Sequence, residues 1–193
     1  GGHSRGEGLP ITDIDVDGIH SEGCHSAVRM LSTGAPIRRI SVRNVRGTFY
    51  RYAIGFTHFM RERETRGVFD AISISDCGVS KARHPADLHY DMPRMPLIFF
   101  DERIDVGSVA ISTLCRDERE SSVEPTIAVY RGCRIADLSV DDCQQVNGTP
   151  DRMTFLRVNG EIGKLTLGNV RLVPSPGENE LRSDVPMAGE PPR

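Results

Sequence analysis

The sequence predicts an all-β fold, a parallel solenoid of about six coils, and three observations carry the prediction. The first is a phrase that recurs along the chain. Its clearest copy is Pro36-Ile37-Arg38-Arg39-Ile40-Ser41-Val42-Arg43-Asn44-Val45, and it returns around Phe69–Cys77 and Ile135–Cys143. Aligned on their first apolar residue, the copies begin at Ile11, Ile37, Phe69, Val106, Ile135 and Ile162, at intervals of 26, 32, 37, 29 and 27 residues. Internal periods of this size signal a repeat architecture. The second is the alternation inside each copy, as in Ile40-Ser41-Val42, Ile72-Ser73-Ile74 and Leu138-Ser139-Val140. That period of two stands the apolar residues on one face of a strand, whereas helical spacing is sustained nowhere. The third is a turn position after each strand, filled by Gly18, Asn44, Asp76, Thr113, Asp142 and Asn169. Gly, Asn and Asp tolerate a left-handed backbone there, and the apolar residue that follows turns back toward the core.

A second strand lies further along each coil. Its copies are Ala27–Leu31, Ala53–Phe56, Leu97–Phe100, Thr126–Val129 and Phe155–Val158. Alternation directs Val28/Met30, Ile54/Phe56, Ile98/Phe100, Ile127/Val129 and Leu156/Val158 inward. It leaves Arg29, Gly55, Phe99, Ala128 and Arg157 as one outward row. Stacked coils then place neighbouring strands about 4.8 Å apart. No single coil can bury its apolar face, so each relies on its neighbours, and both ends of the stack need a cover. Further coils upstream or a second copy of the chain would supply it. The expected organisation is a lead-in over 1–10, the solenoid over 11–172 and a Pro- and Gly-rich tail over 173–193. Charged or polar insertions are read at 57–67, 78–96, 115–124 and 144–152, as loops on a rigid scaffold.

Composition narrows the function classes. The net charge of −3 gives no global basic field to recruit nucleic acid. No apolar run approaches 18 residues, so no membrane-spanning helix is expected. The cysteines are Cys24, Cys77, Cys115, Cys133 and Cys143, an odd number with no C-x-x-C pair, which argues against a zinc site or a disulfide framework. Cys77 and Cys143 fall at the last apolar position of the phrase, where Val45, Leu114 and Val170 stand in other copies. They read as small buried hydrophobes. No phosphate loop, nucleophile elbow or dinucleotide fingerprint is present, and neither cofactor nor metal is expected.

The Ile37–Val45 phrase and the Ser26-Ala27-Val28-Arg29-Met30 segment before it resemble the right-handed parallel β-helix of the pectin-lyase-like superfamily. More narrowly, they are similar to the polygalacturonase-type family 28 glycoside hydrolases, whose coils alternate an I-x-x-I-x-V-x-N strand with an A-I-x-I strand. The resemblance covers 11–172. It implies a secreted or cell-surface protein that binds a polysaccharide or oligosaccharide and cleaves it as a glycoside hydrolase or polysaccharide lyase. The N-T-D, G-D-D and R-I-K signatures of that family's catalytic site do not occur, which leaves open a non-catalytic β-helix such as a tailspike or surface-protein shaft. Asp17-Gly18-Ile19 resembles the family's D-G-I, yet its register makes it a structural turn.

Glycoside hydrolysis needs two carboxylates flanking the bond. The outward row contains none, so the catalytic candidates are Asp101 and Glu102, with Asp105 nearby; a solvated turn is their simpler reading. Phe99 is the candidate stacking platform for a sugar ring, against plain packing under the insertion before it. Arg29 and Arg157 are candidate contacts to acidic sugars, though about four coils apart. His84, His89 and Asp91, with Asp87, form a candidate sugar-contact loop in the longest insertion.

Overall fold

The computed structural model describes residues 8–58, 65–83, 85, 94–120, 122–174 and 177–183. These form fourteen strands and no helix. One sheet contains β1 (Ile11–Cys24), β3 (Ile37–Phe49), β5 (Gly67–Lys81), β7 (Ile104–Glu118), β9 (Arg134–Asp141), β10 (Cys143–Asn147), β12 (Glu161–Leu167) and β13 (Val170–Pro174). The other contains β2 (Val28–Ser32), β4 (Ile54–His58), β6 (Ile98–Phe100), β8 (Ile127–Val129), β11 (Met153–Val158) and β14 (Asn179–Ser183). Every pairing is parallel. Apart from β9–β10 and β12–β13, which follow one another in the first sheet, successive strands alternate between the sheets, so the chain winds through about five turns as a β-solenoid.

The alternation sets the register. Ile11, Ile37, Phe69, Val106, Ile135 and Ile162 lie side by side on the first sheet, the alignment read from sequence. A shift by one residue would turn every apolar side chain outward, which is why the register is firm. On the second sheet Met30, Ile54, Phe56, Ile98, Phe100, Ile127, Val129, Leu156 and Val158 join the core, and Val28 packs against it. Cys77, Cys133 and Cys143 are buried within the same core, while Cys24 and Cys115 are exposed and all five thiols are free. Burial raises the Cys77 thiol above its usual range and pushes Cys143 up to about 11, as befits thiols acting as hydrophobes.

The corner residues behave as their chemistry requires. Gly18, Asn44, Asp76, Thr113, Asp142 and Asn169 all have φ between +41° and +78°. Asn169 Nδ2 donates to Asp142 Oδ1 at 2.7 Å, tying one corner to the next. Gly18 confirms Asp17-Gly18-Ile19 as a turn, and Asp17 is held by Arg43 of the next rung at 3.0 Å.

Two features depart from the sequence reading. The first-sheet strands do not stop at this corner: β3, β5 and β7 each run five residues past it. The stretches expected to begin loops at Cys115 and Gln144 are therefore strand, with Arg116, Glu118, Gln145 and Asn147 buried rather than projecting. The pattern misled because these side chains satisfy one another inside the solenoid, so polar residues occupy inward positions. In addition, pairing continues beyond residue 172, with β14 adding a rung beside β11. β14 lacks apolar alternation, setting Glu180 and Arg182 beside Thr154 and Leu156 of β11.

Candidate functional site

The outward row of the second sheet is as expected in register: Arg29, Gly55, Phe99, Ala128 and Arg157 are consecutive neighbours. Its surface character differs. Phe99 leaves the solenoid core yet is 1% exposed, packed edge-on to Tyr52 at 4.9 Å and tilted against Tyr130 at 5.8 Å. Gly55 makes this possible, since a Cβ there would lie 2.6 Å from the Phe99 ring. Phe99 is thus the centre of a small outer cluster rather than an open platform. Arg29 is exposed and donates from Nε to Thr57 Oγ1 at 3.1 Å. Arg157 is half-buried, with its Nε enclosed and without a hydrogen-bond partner among the described residues. His84, His89 and Asp91 lie outside the described residues.

Asp101 and Glu102 stand where the chain leaves β6 and turns toward β7. Glu102 is exposed, and its backbone N–H donates to Asp101 Oδ1 at 2.9 Å. Burial pushes the Asp101 carboxyl up to about 6, opposed by hydrogen bonds from the Glu102 and His58 backbone and by the charge of Arg29. A carboxyl that titrates near neutrality can give or take a proton, whereas an ordinary aspartate is locked as an anion. Across the same corner, Asp105 accepts from Arg66 Nε at 2.7 Å, and Arg66 also donates to the carbonyls of Ile104 and Gly132 at 3.0 and 2.8 Å. Burial raises the nearby Cys133 thiol well above its usual range, and the charges of Arg66, Asp105 and Asp101 modulate it. The structure therefore groups Arg29, Asp101 and Glu102, and leaves Arg157 apart.

Beside this corner the first sheet carries an open groove of about 690 Å³. Its floor is Gly107, Ala136 and Gly163, adjacent on successive rungs. One wall is the charged row Asp105, Arg134 and Glu161, also in register. Arg38 and Asp70 close the end toward the first rungs. Gly107 is required by close approach: a Cβ there would fall 2.1 Å from Asp70 Oδ1, which accepts the Ser108 N–H at 3.1 Å. Sequence alone showed these glycines as scattered; only the register brings them into line.

The interior beyond the second corner holds a polar network that sequence reasoning did not find. Arg116 and Glu118 are fully buried and paired, with Arg116 Nη2 and Nε at 2.7 and 2.9 Å from Glu118 Oε2. Arg116 also donates to the Glu124 carbonyl, Thr126 Oγ1 and Ser122 Oγ at 2.9, 3.0 and 3.1 Å. Glu118 accepts the Lys81 N–H at 3.1 Å, and Lys81 Nζ donates to the carbonyls of Arg51 and Met95. Burial lowers the Lys81 ammonium to about 7. Thr126 donates to Gln145, whose amide donates to Asn179 at 2.6 Å. This network reads as internal cross-bracing. Among the described residues no group of three or more His, Cys, Asp or Glu side chains is placed to hold a metal ion.

Comparison of the chain with family models, with curated proteins and with solved structures finds no match.

Proposed function

We propose that this chain is a glycan-binding β-solenoid of the pectin-lyase-like type, right-handed and working at the cell surface or in secretion. The observation that carries the reading is the groove over Gly107, Ala136 and Gly163. Its small-residue floor lets a ring approach the backbone, and its wall alternates acceptors and donors for sugar hydroxyls. The charges of Arg38 and Arg134 nearly balance those of Asp70, Asp105 and Glu161, which suits a hydroxyl-rich, largely neutral chain over a polyanion. The groove runs along the solenoid axis, so successive rungs, about 4.8 Å apart, offer successive contacts to an extended oligosaccharide. Asp101 is the residue for acid–base chemistry and Glu102 the neighbouring carboxylate, which keeps glycoside cleavage within the reading.

The test is a panel of neutral and uronate-containing polysaccharides, with affinity and product formation both measured. Retention on a neutral polysaccharide is expected. Ala136→Leu, at an exposed position, should weaken it about tenfold, a loss of about 1.4 kcal/mol, with the circular dichroism spectrum unchanged. If cleavage occurs, Asp101→Asn should remove products and spare retention. Failure to bind any member contradicts the proposal.

The burial of Phe99 beneath Tyr52 and Tyr130 favours a second reading, a shaft that binds or only holds shape. Binding without products would select it.

A further inference from the structure

We propose that Asp70 makes the groove selective for a protonated amine, so that its ligand is an oligosaccharide of neutral rings ending in an amino sugar. The inference rests on the groove reading and names its substrate more narrowly.

The groove begins where one backbone habit stops. The second residue after the leading apolar position is left-handed in the first three rungs, at Asp13, Arg39 and Ala71, with φ of 61°, 53° and 52°. Ser108, Asp137 and Lys164 hold the same place in the next three and are not left-handed. β5 and β7 pair at Phe69–Val106 and again at Ile72–Val109, and the two residues between are unpaired. Asp70 fills this mismatch. Its Oδ1 accepts the Ser108 N–H at 3.1 Å and the Ser108 hydroxyl at 3.4 Å. To do so the carboxylate leans over Gly107, whose missing side chain leaves the space. A Cβ there would collide with Oδ1 and lie 2.8 Å from Cγ. Asp70 is thus turned toward the fourth rung, across the head of the groove floor, and away from Arg38, its neighbour on β3.

Charge sets Asp70 apart from the other carboxylates of the groove. Asp105 and Glu161 both have arginine partners. Arg66 lies 2.7 Å from Asp105, and Arg134 lies 3.9 Å from Asp105 and 3.8 Å from Glu161. Asp70 is half-buried and has no such cation among the described residues. Ser108 supplies its polar contacts, and both reach Oδ1, so Oδ2 keeps its capacity to accept. A half-buried carboxylate without a counter-charge favours a ligand that brings one. An ammonium group is donor and counter-charge together, and such charge-assisted hydrogen bonds are about twice as strong as neutral ones. A hydroxyl offers only the hydrogen bond, and a uronate is repelled. Ser108 also fixes the carboxylate in place before the ligand arrives, so little freedom is lost on binding. Because Asp70 stands at the end of the groove, the amine belongs on a terminal ring.

The test compares three tetramers on the full chain, at a pH that keeps the sugar amine protonated. One is all glucose; the others carry a single glucosamine at the reducing or the non-reducing end. One of the amino tetramers should bind about tenfold tighter than the glucose tetramer at low salt, and added salt should shrink that ratio. Asp70→Asn keeps an oxygen for Ser108 and removes the charge, so the ratio should fall to near one. Gly107→Ala reaches the same result by another route, because its methyl group displaces the carboxylate. A ratio near one in the parent chain, or a preference that survives Asp70→Asn, would overturn the proposal. The groove reading would then still stand if Ala136→Leu weakened binding of all three. Binding of no tetramer would remove both.

Discussion

Thr113 shows what the corner demands of a single residue. Its φ of +52° lies in the left-handed region, which is strained for a β-branched side chain, whereas the other corners hold Gly, Asn or Asp. Thr113 is exposed, so nothing is lost by shortening its branch. Thr113→Asn is expected to stabilise the fold by about 1 kcal/mol, read as a higher urea midpoint at constant slope. Asp101 makes a prediction in pH. Its folded carboxyl titrates at about 6 against an ordinary 3.8, so the unfolded chain gives up this proton first. The stability tied to the protonated group is present below pH 3.8 and lost as pH rises through about 6. Asp101→Asn cannot ionise, so its melting temperature relative to the parent chain should be higher at pH 7.5 than at pH 3.5. A pH-independent difference would show that the carboxyl is not buried as described.

The strands show how far elements could be read from sequence. Ile, Val and Leu at period two fixed the inward rows of both sheets, and Gly, Asn and Asp, with Thr113 in one coil, marked one corner of every coil. The strand beyond that corner was illegible because its inward positions change character from rung to rung. Phe49 is followed by Lys81, its neighbour on the next strand. Arg116 and Gln145 face each other, as do Glu118 and Asn147. Polar residues in such a pattern look like a loop unless their partners are known, and those partners come from other coils. The pairing has a measurable consequence. Arg116→Met leaves the Glu118 carboxylate buried without its cation and should cost about 3–5 kcal/mol. Adding Glu118→Leu should recover much of that loss, because removing both charges also removes their desolvation cost. Chemical denaturation of the single and double variants measures both. Phe99 illustrates the complementary limit: alternation gave its direction correctly, but its cover comes from Tyr52 and Tyr130 at coil corners, which no periodicity reports.

At the scale of the whole molecule, the winding turns scattered residues into surfaces. Gly107, Ala136 and Gly163 have no relation in sequence beyond their place in the phrase, yet three adjacent rungs make them one floor. Arg66 and Asp105 likewise meet only because one coil packs on the next. The candidate acids were legible as a cluster; the groove beside them was not, since its wall joins residues from 105, 134 and 161. The central claim is that this groove receives a glycan, and backbone amide chemical shifts test it most directly. Titration with a neutral oligosaccharide selected from the polysaccharide panel should perturb the amides of Gly107, Ala136 and Gly163 most, with a saturable dose dependence that Ala136→Leu weakens. Perturbations confined to another face, or none at saturating sugar, would contradict the account.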